Sequence, residues 1–374
     1  MPGPAATAAL RRAAACLLAA LVPAAAAANP EWWETPGRPD LFPQVVGTQN
    51  FDPAYRFTEE PPLVEGAREI ARMGSRILKT TTPPPAQLTQ LLGMPFTHYL
   101  LWFRSSNRWT GGLTEEMRRQ EYDATFAFAR DLLTRPDAAG KTFLLGHWEG
   151  DWYLLPNKRR DIDAPALAVD GMVAWLNVRQ RAIEDARRAV PDSRARVYQY
   201  AEVNRVRDAM VGGRRRMVDQ VLPRVDVDLV SYSAYDSQQL PAAEVRATLD
   251  YINRQLRPKP GLPAKRVFIG ECGLSWVACG SDPAEHDRRN REILAKLLSW
   301  RPAMVLYWQV YNNEVKDGRQ LGFWLIDDRR RPVPLHATLV SLYAQQAARA
   351  RSAGPPSAEE SAALGERLLA PPAR

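Results

Sequence analysis

The sequence predicts an α/β protein of a single domain, a (β/α)8 TIM barrel, on three observations. Eight short runs of β-branched and aromatic residues recur between residues 45 and 309. Segments with helical periodicity lie between them. No Gly-x-Gly-x-x-Gly follows the first run, as it would in an open, doubly wound nucleotide-binding sheet. Strand then helix, eight times over, is the pattern of a closed parallel barrel. Such a barrel needs roughly 250 residues, and the chain has 374.

In chain order, residues 1–28 read as a bacterial export signal. Arg11 and Arg12 supply the positive start, Ala13 to Val22 the apolar stretch, and Ala26-Ala27-Ala28 a small-residue cleavage site. Pro23 breaks the apolar run short of the ~20 residues a membrane span requires. The expectation is therefore a secreted or periplasmic protein, cleaved near Ala28 and without stable membrane insertion. Residues 29–44 are rich in proline and aromatics and are expected to wrap the outside of the domain.

The strand runs are Val45 to Gln49, Arg76 to Thr80, His98 to Phe103, Thr142 to Trp148, Arg196 to Ala201, Asp228 to Ser233, Arg266 to Gly270 and Ala303 to Gln309. Short apolar runs bounded by turn residues are what strands covered on both faces look like. Between them, Met117, Tyr122, Phe126, Ala129 and Leu133 form one helical stripe. Asp282, Pro283 and Glu285 occupy N-cap, N1 and N3 of another helix, whose buried face is Ile293, Leu294, Leu297 and Leu298. Further helices are expected over residues 64–73, 86–92, 167–189, 205–221, 242–255 and 335–348. The barrel thus spans 45–349, and the Ala/Pro/Glu-rich residues 350–374 are expected to be disordered.

The formal charge of +8 does not indicate nucleic acid. Only seven of the 50 basic residues are lysine, and the arginines are spread along helices beside acids, as in Asp287-Arg288-Arg289. A nucleic-acid surface would gather them into a patch with interleaved aromatics. None of His98, His147, His286 and His336 is spaced as a zinc ligand pair, and neither Gly-x-Ser-x-Gly nor a P-loop occurs, so no metal or cofactor is expected. Outside the signal, Cys272 and Cys279 form an even pair, and an oxidising compartment favours a disulfide between them.

Barrel active sites lie at the C-terminal ends of the strands. Three glutamates stand there: Glu149, Glu202 and Glu271. By alternation Phe143, Leu145, His147 and Glu149 share a face, as do Val267, Ile269 and Glu271, so apolar members pointing inward would bring both glutamates to the inner rim. Two carboxylates are what glycoside hydrolysis requires, one as acid and the other as nucleophile or base. Glu202, at the same parity as Tyr198 and Tyr200, is a candidate substrate ligand or a partner for Arg205. Trp102, Trp109, Trp148, Trp152, Trp276 and Trp308 fall near strand ends, where flat indoles suit the C–H faces of sugars.

Gly-Glu-Cys-Gly at 270–273 resembles the nucleophile strand of the clan A glycoside hydrolases, and Tyr307-Trp308-Gln309 resembles their eighth strand. Tyr232 resembles their strand-six tyrosine. The resemblance implies a (β/α)8 barrel with Glu149 as acid/base and Glu271 as nucleophile, acting with retention. It implies Tyr232 orienting Glu271, and Trp308 under a sugar ring. The clan places asparagine directly before the acid/base glutamate, to hold the substrate 2-hydroxyl; here that residue is Trp148. His147, Asp151 and Asn204 are the substitutes at hand. With Trp148 and Trp276, these complete the expected carbohydrate-binding set. A barrel that binds glycans without cleaving them, or a transglycosylase using the same residues, stands beside the hydrolase reading.

Overall fold

Eight parallel strands close on themselves in sequence order: β1 (Val46–Asn50), β2 (Ile77–Thr81), β3 (His98–Trp102), β4 (Thr142–Gly146), β5 (Arg196–Val203), β6 (Leu229–Ser233), β7 (Val267–Cys272) and β8 (Val305–Tyr307), with β8 paired back onto β1. The computed structural model describes residues 44–103, 107–354 and 356–370. The expected export signal and nearly all of the wrapping segment lie outside these residues. Every predicted strand is present within a few residues of its predicted bounds.

The helices are α1 (Pro62–Arg72), α2 (Pro85–Leu92), α3 (Glu115–Thr134), α4 (Gly150–Leu154), α5 (Ala166–Ala189), α6 (Val206–Met210), α7 (Met217–Gln220), α8 (Ala242–Arg254), α9 (Pro283–Leu298), α10 (Pro334–Ala353) and α11 (Ala358–Leu369). Helix α9 starts where its cap predicted, with Pro283 at N1 and the Asp282 carboxylate accepting from the Glu285 amide. Two expectations need correction. The helix expected over 205–221 is broken into α6 and α7 by Gly212-Gly213, with Gly213 in the left-handed region at φ +63°. The tail expected to be disordered carries α11, capped by Ser357 and Glu360 and burying Ala362 and Leu369. Its buried face is mostly small residues, Ala358, Ser361, Ala362 and Gly365 with Leu369, so a stripe was hard to see.

The barrel interior is plugged by one apolar residue from each of seven strands: Ile77, Leu100, Leu144, Tyr200, Leu229, Phe268 and Leu306. Strand β1 contributes Gly47, where a β-carbon would lie 2.7 Å from Leu306 and 2.9 Å from Ile77. The opposite strand faces pack against the helices: Phe143 and Leu145 with Leu91, Leu132 and Ile183, and Val267 and Ile269 with Leu249 and Leu294. This reverses the predicted facing of those two strands. Phe143, Leu145, Val267 and Ile269 point outward, so simple alternation would have sent Glu149 and Glu271 into the helix layer.

Backbone irregularity restores both glutamates. Tyr232 pairs with Ile269 and Ser233 with Glu271, so β7 carries one extra residue against β6; the β7–β8 register slips over the same stretch. This bulge turns Glu271 inward. In β4 the ladder ends at Gly146, and the chain turns before Glu149, whose φ of −6° and ψ of 88° belong to neither strand nor helix.

Candidate active site

A cleft of about 550 Å³ opens at the C-terminal ends of the strands, and Glu149 and Glu271 both line it. Its walls are aromatic: Phe51, Trp102, Trp148, Trp152, Tyr235, Trp308 and Phe323, with Asp52, Asn204, Arg205, Asn313 and Glu314 between them. Trp308 stacks on Phe51 at 5.4 Å and lies 6.4 Å from Trp102, while its indole N–H donates to Glu314 at 3.1 Å. The three rings form a floor. Rigid aromatic surface of this kind matches the apolar face of a sugar ring.

Under the floor lies a fully buried charge cluster. Lys79, on the inward face of β2, donates to Glu202 Oε2 at 2.8 Å, to the Gly270 carbonyl at 3.1 Å and to Glu271 Oε1 at 3.3 Å. Its ammonium sits 5.2 Å from the Trp102 ring centre. Ser231 donates to Glu202 Oε2 at 2.7 Å, and the Glu149 backbone N–H donates to Glu202 Oε1 at 3.1 Å. Gly270 is required here: a β-carbon would lie 1.8 Å from Ser231 Oγ and 2.9 Å from Glu202 Oε2.

The electrostatics follow from burial. Desolvation first, then the charge of Glu202, pushes the Glu149 carboxyl up to about 8. Burial also pushes Glu271 well above the usual carboxylate range; Lys79 opposes this, while Glu202 and Glu149 add to it. Burial works against the charge on Lys79, but Glu202 and Glu271 outweigh it and hold its pKa above the ordinary lysine value. Of the three glutamates, only Glu202 and Glu271 lie within 4 Å of the ammonium. The cation thus lies beside Glu271 and not within 4 Å of Glu149, while burial raises the pKa of both cleft carboxyls. Two carboxyls in one aromatic cleft, one protonated and the other ionised, can give a proton to one side of a bond while the other side is attacked.

Several expected site residues lie elsewhere. Tyr232 does not orient Glu271: it points outward from β6, where its hydroxyl donates to Asp236 and, at 2.6 Å, to Ser237. The tyrosine at the mouth is Tyr235, carried over by the turn Ala234–Asp236, and its hydroxyl pKa is raised by burial and by Glu271 and Glu149. His147 is fully buried beside Trp175, with Nδ1 at 2.7 Å from the Trp148 carbonyl and Nε2 accepting from the Glu202 amide at 3.3 Å. Burial lowers its pKa to about 4, so it is a neutral clasp between strand ends and not a ligand. Asp151 spends both carboxylate oxygens on the amides of Asn204, Arg205 and Met217. Glu202 pairs with Lys79 rather than Arg205, below the cleft.

Among the indoles, Trp102, Trp148, Trp152 and Trp308 line the cleft. Trp109 is buried on Trp175, and Trp276 packs against His286 and Trp324. Of the proposed substitutes for the missing asparagine, Asn204 alone reaches the cleft; its Oδ1 accepts from the Asp151 amide, leaving the amide nitrogen for a ligand. The expected disulfide is absent. Cys272 and Cys279 are both free and buried, Cys272 donating to the Leu306 carbonyl from the outer face of β7.

Sequence reasoning missed Lys79, yet a signal was present. A lysine in the middle of a strand read as covered on both faces has no route to water, so it requires a buried partner. Phe51 and Glu314 gave no such signal, because loop residues reveal their direction only through the fold.

No family model matches this sequence, and no curated protein does. Solved structures do share its architecture. A GH2 beta-galacturonidase from Eisenbergiella tayi bound to galacturonate aligns with a TM-score of 0.52 at 13% identity, over 81% of this chain and 51% of that one. A family 39 glycoside hydrolase from the gut symbiont Bacteroides cellulosilyticus WH2 aligns at 0.53 and 13% identity, over 81% and 64%. A beta-glucuronidase from Faecalibacterium prausnitzii aligns at 0.50 and 13%, over 81% and 49%. The chain thus spans 49% to 64% of the length of these proteins. The likeness is one of fold: this chain is a closed eight-stranded (β/α)8 barrel similar to those of distant glycoside hydrolases.

Proposed function

We propose that the protein is an exported O-glycoside hydrolase acting on oligo- or polysaccharide with retention of configuration. Glu149 is the acid/base and Glu271 the nucleophile. The observation that carries this reading is the pair of strand-end glutamates in one aromatic cleft, one beside a lysine and the other beside none. Glu149 gives its proton to the glycosidic oxygen as Glu271 attacks the anomeric carbon; the C–O bond breaks and a glycosyl ester forms on Glu271. Glu149, now a carboxylate, takes a proton from water as that water attacks the same carbon and releases Glu271. Trp308 stacks on the sugar, and Asn204 takes the place of the missing asparagine at the ring hydroxyls. The fold neighbours, glycoside hydrolases of two families, support the reaction class. Export rests on the residues around Arg11, Arg12 and Ala26-Ala27-Ala28.

The test is a panel of chromogenic glycosides at pH 6, with product stereochemistry followed by proton NMR. Glu149→Gln and Glu271→Gln should each abolish turnover with the fold intact, and the first-formed product should keep the anomeric configuration. Unchanged turnover in either variant, or an inverted product, removes the assignment. Trp148 favours a second reading, a glycan-binding barrel without catalysis. It predicts saturable oligosaccharide binding that Trp308→Ala weakens, with no cleavage. A transglycosylase would appear as ligated products when acceptor sugars are added.

A further inference from the structure

We propose that the substrate is an acidic polysaccharide, held through its carboxylate or sulfate groups by a basic rim on the Glu149 side of the cleft. This names a substrate class for the hydrolase read above and rests on that reading for its chemistry. Most arginines of the chain stand beside acids along helices, but the loops after β4 and β5 depart from this. Within residues 158–163 and 205–216 the exposed charged side chains are five cations, Lys158, Arg159, Arg160, Arg214 and Arg215, and two carboxylates, Asp161 and Asp163. The two loops form one surface. Arg216, itself buried, donates to the carbonyls of Arg160 at 2.6 Å and Ile162 at 2.9 Å, and the Arg215 amide donates to Asp163 at 3.1 Å. Behind the exposed face, Asp208 is shared among three guanidiniums, those of Arg205 at 2.7 Å and of Arg160 and Arg216 at 3.4 Å. Other acids near these loops are engaged: Asp151 accepts the Met217 amide, Asp219 that of Arg216 and Asp236 that of Arg207, while Glu244 takes the Arg207 side chain.

The rim runs into the cleft. Lys158 sits 4.8 Å from the centre of the Trp148 ring and Arg205 5.6 Å from that of Trp152, so each tryptophan of this wall bears a cation. Arg205 and its neighbour Asn204 line the cleft themselves. The segments after β1 and β8 supply Asp52 and Glu314 to the cleft and no cation. Surface charge of one sign at the mouth of a cleft draws in ligands of the other sign. Glu149 gives its proton to the leaving oxygen, so the leaving half of the glycan is the half that meets the rim. A nucleic acid would also answer to the charge, but two carboxyls among stacked rings suit a glycosidic bond.

Binding is measured by isothermal titration calorimetry on the full chain carrying Glu271→Gln, so that ligands survive. The probes are oligosaccharides of hyaluronan, which carry carboxylates, of dextran sulfate, which carry sulfates, and of neutral dextran, with a single-stranded DNA of matching charge. At least one acidic glycan should bind about tenfold or more tightly than dextran, the low end of what a focused surface potential supplies. The margin should vanish between about 50 and 500 mM sodium chloride, as screening shortens the reach of the rim. Either acidic glycan binding better supports the rim and identifies its preferred acid group. Changing Arg159, Arg214 and Arg215 together to glutamine should remove the margin at an unchanged melting temperature. If that variant fails to fold, Lys158→Gln at its exposed position decides, and should narrow the margin. Dextran bound as well as the acidic glycans, a margin that survives the salt or the substitutions, or DNA bound more tightly than either acidic glycan overturns the proposal. A wild type that cleaves no glycoside, with binding that still follows the rim, sinks the hydrolase reading and leaves the rim standing. Cleavage of neutral glycans with no acidic margin does the reverse.

Discussion

Replacing Glu149 by glutamine removes one proton from the folding equilibrium, and the size of the effect follows from the carboxyl's surroundings. In the folded protein this group titrates near 8, against 4.5 for an ordinary glutamate. A raised acid pKa contributes stability that is fully present below the unfolded value and is lost as pH rises through the folded one. Between the two, the folded state holds a proton that the unfolded chain has released. Each pH unit then costs about 1.4 kcal/mol. From pH 4.5 to 7.5 the wild type should lose about 4 kcal/mol through this site alone, a large share of a typical domain's stability. Glutamine has no proton to hold, so Glu149→Gln should match wild type near pH 4.5, apart from a constant offset, and gain on it steadily above. Urea denaturation of both proteins at half-unit steps from pH 4.5 to 7.5 measures this directly. Titrations common to both cancel in the difference. Parallel stability curves would refute the account of Glu149 as a buried, proton-bearing acid.

Other expectations follow from the same geometry. If Glu149 is the acid, kcat/KM should fall as pH rises through about 8, because its protonated form is the active one; a wild-type kcat/KM that stays flat from pH 7 to 9.5 would contradict this. Trp308→Ala should lower kcat/KM about tenfold, the loss of a stacking contact worth roughly 1.5 kcal/mol, while Trp276→Phe, facing His286 and Trp324, should leave it unchanged. Tyr235→Phe should alter activity more than Tyr232→Phe; the reverse order would show that the wrong tyrosine has been placed at the mouth. Because Cys272 and Cys279 are buried and free, a thiol reagent should find neither of these two quickly in the native protein and both after denaturation without reductant.

Much of the barrel was legible in the sequence because strands covered on both faces must be short and apolar, and helices between them must show one apolar stripe. Phe143-Leu144-Leu145 and Val267-Phe268-Ile269 are strands on any reading. Which face of such a strand looks inward is another matter. When every residue is apolar, alternation has no polar marker to fix its phase, and the phase inferred for β4 and β7 was the opposite of the real one. Glu149 and Glu271 still reach the mouth, through the early end of β4 at Gly146 and the bulge at Gly270. Glu202 did follow alternation, but to a place beneath the cleft, because strand β5 runs inward through Tyr198 and Tyr200. Tyr232 and Tyr235 differ by three positions, and only the end of β6 at Ser233 decides which of them sees the cleft. Helix α11 was hidden by small residues whose burial depends on contact with α9.

The floor of Phe51, Trp102 and Trp308 also separates Lys79 and Glu202 from the surrounding electrolyte. Mobile ions screen charges they can approach, over a Debye length of about 8 Å in physiological salt, and act far less on charges sealed between an apolar plug and stacked rings. Added sodium chloride should therefore weaken the many arginine–carboxylate contacts on the helices while hardly touching the balance inside the barrel. A protein with an outside so rich in charge can, in this way, keep its inner chemistry indifferent to the salinity around it.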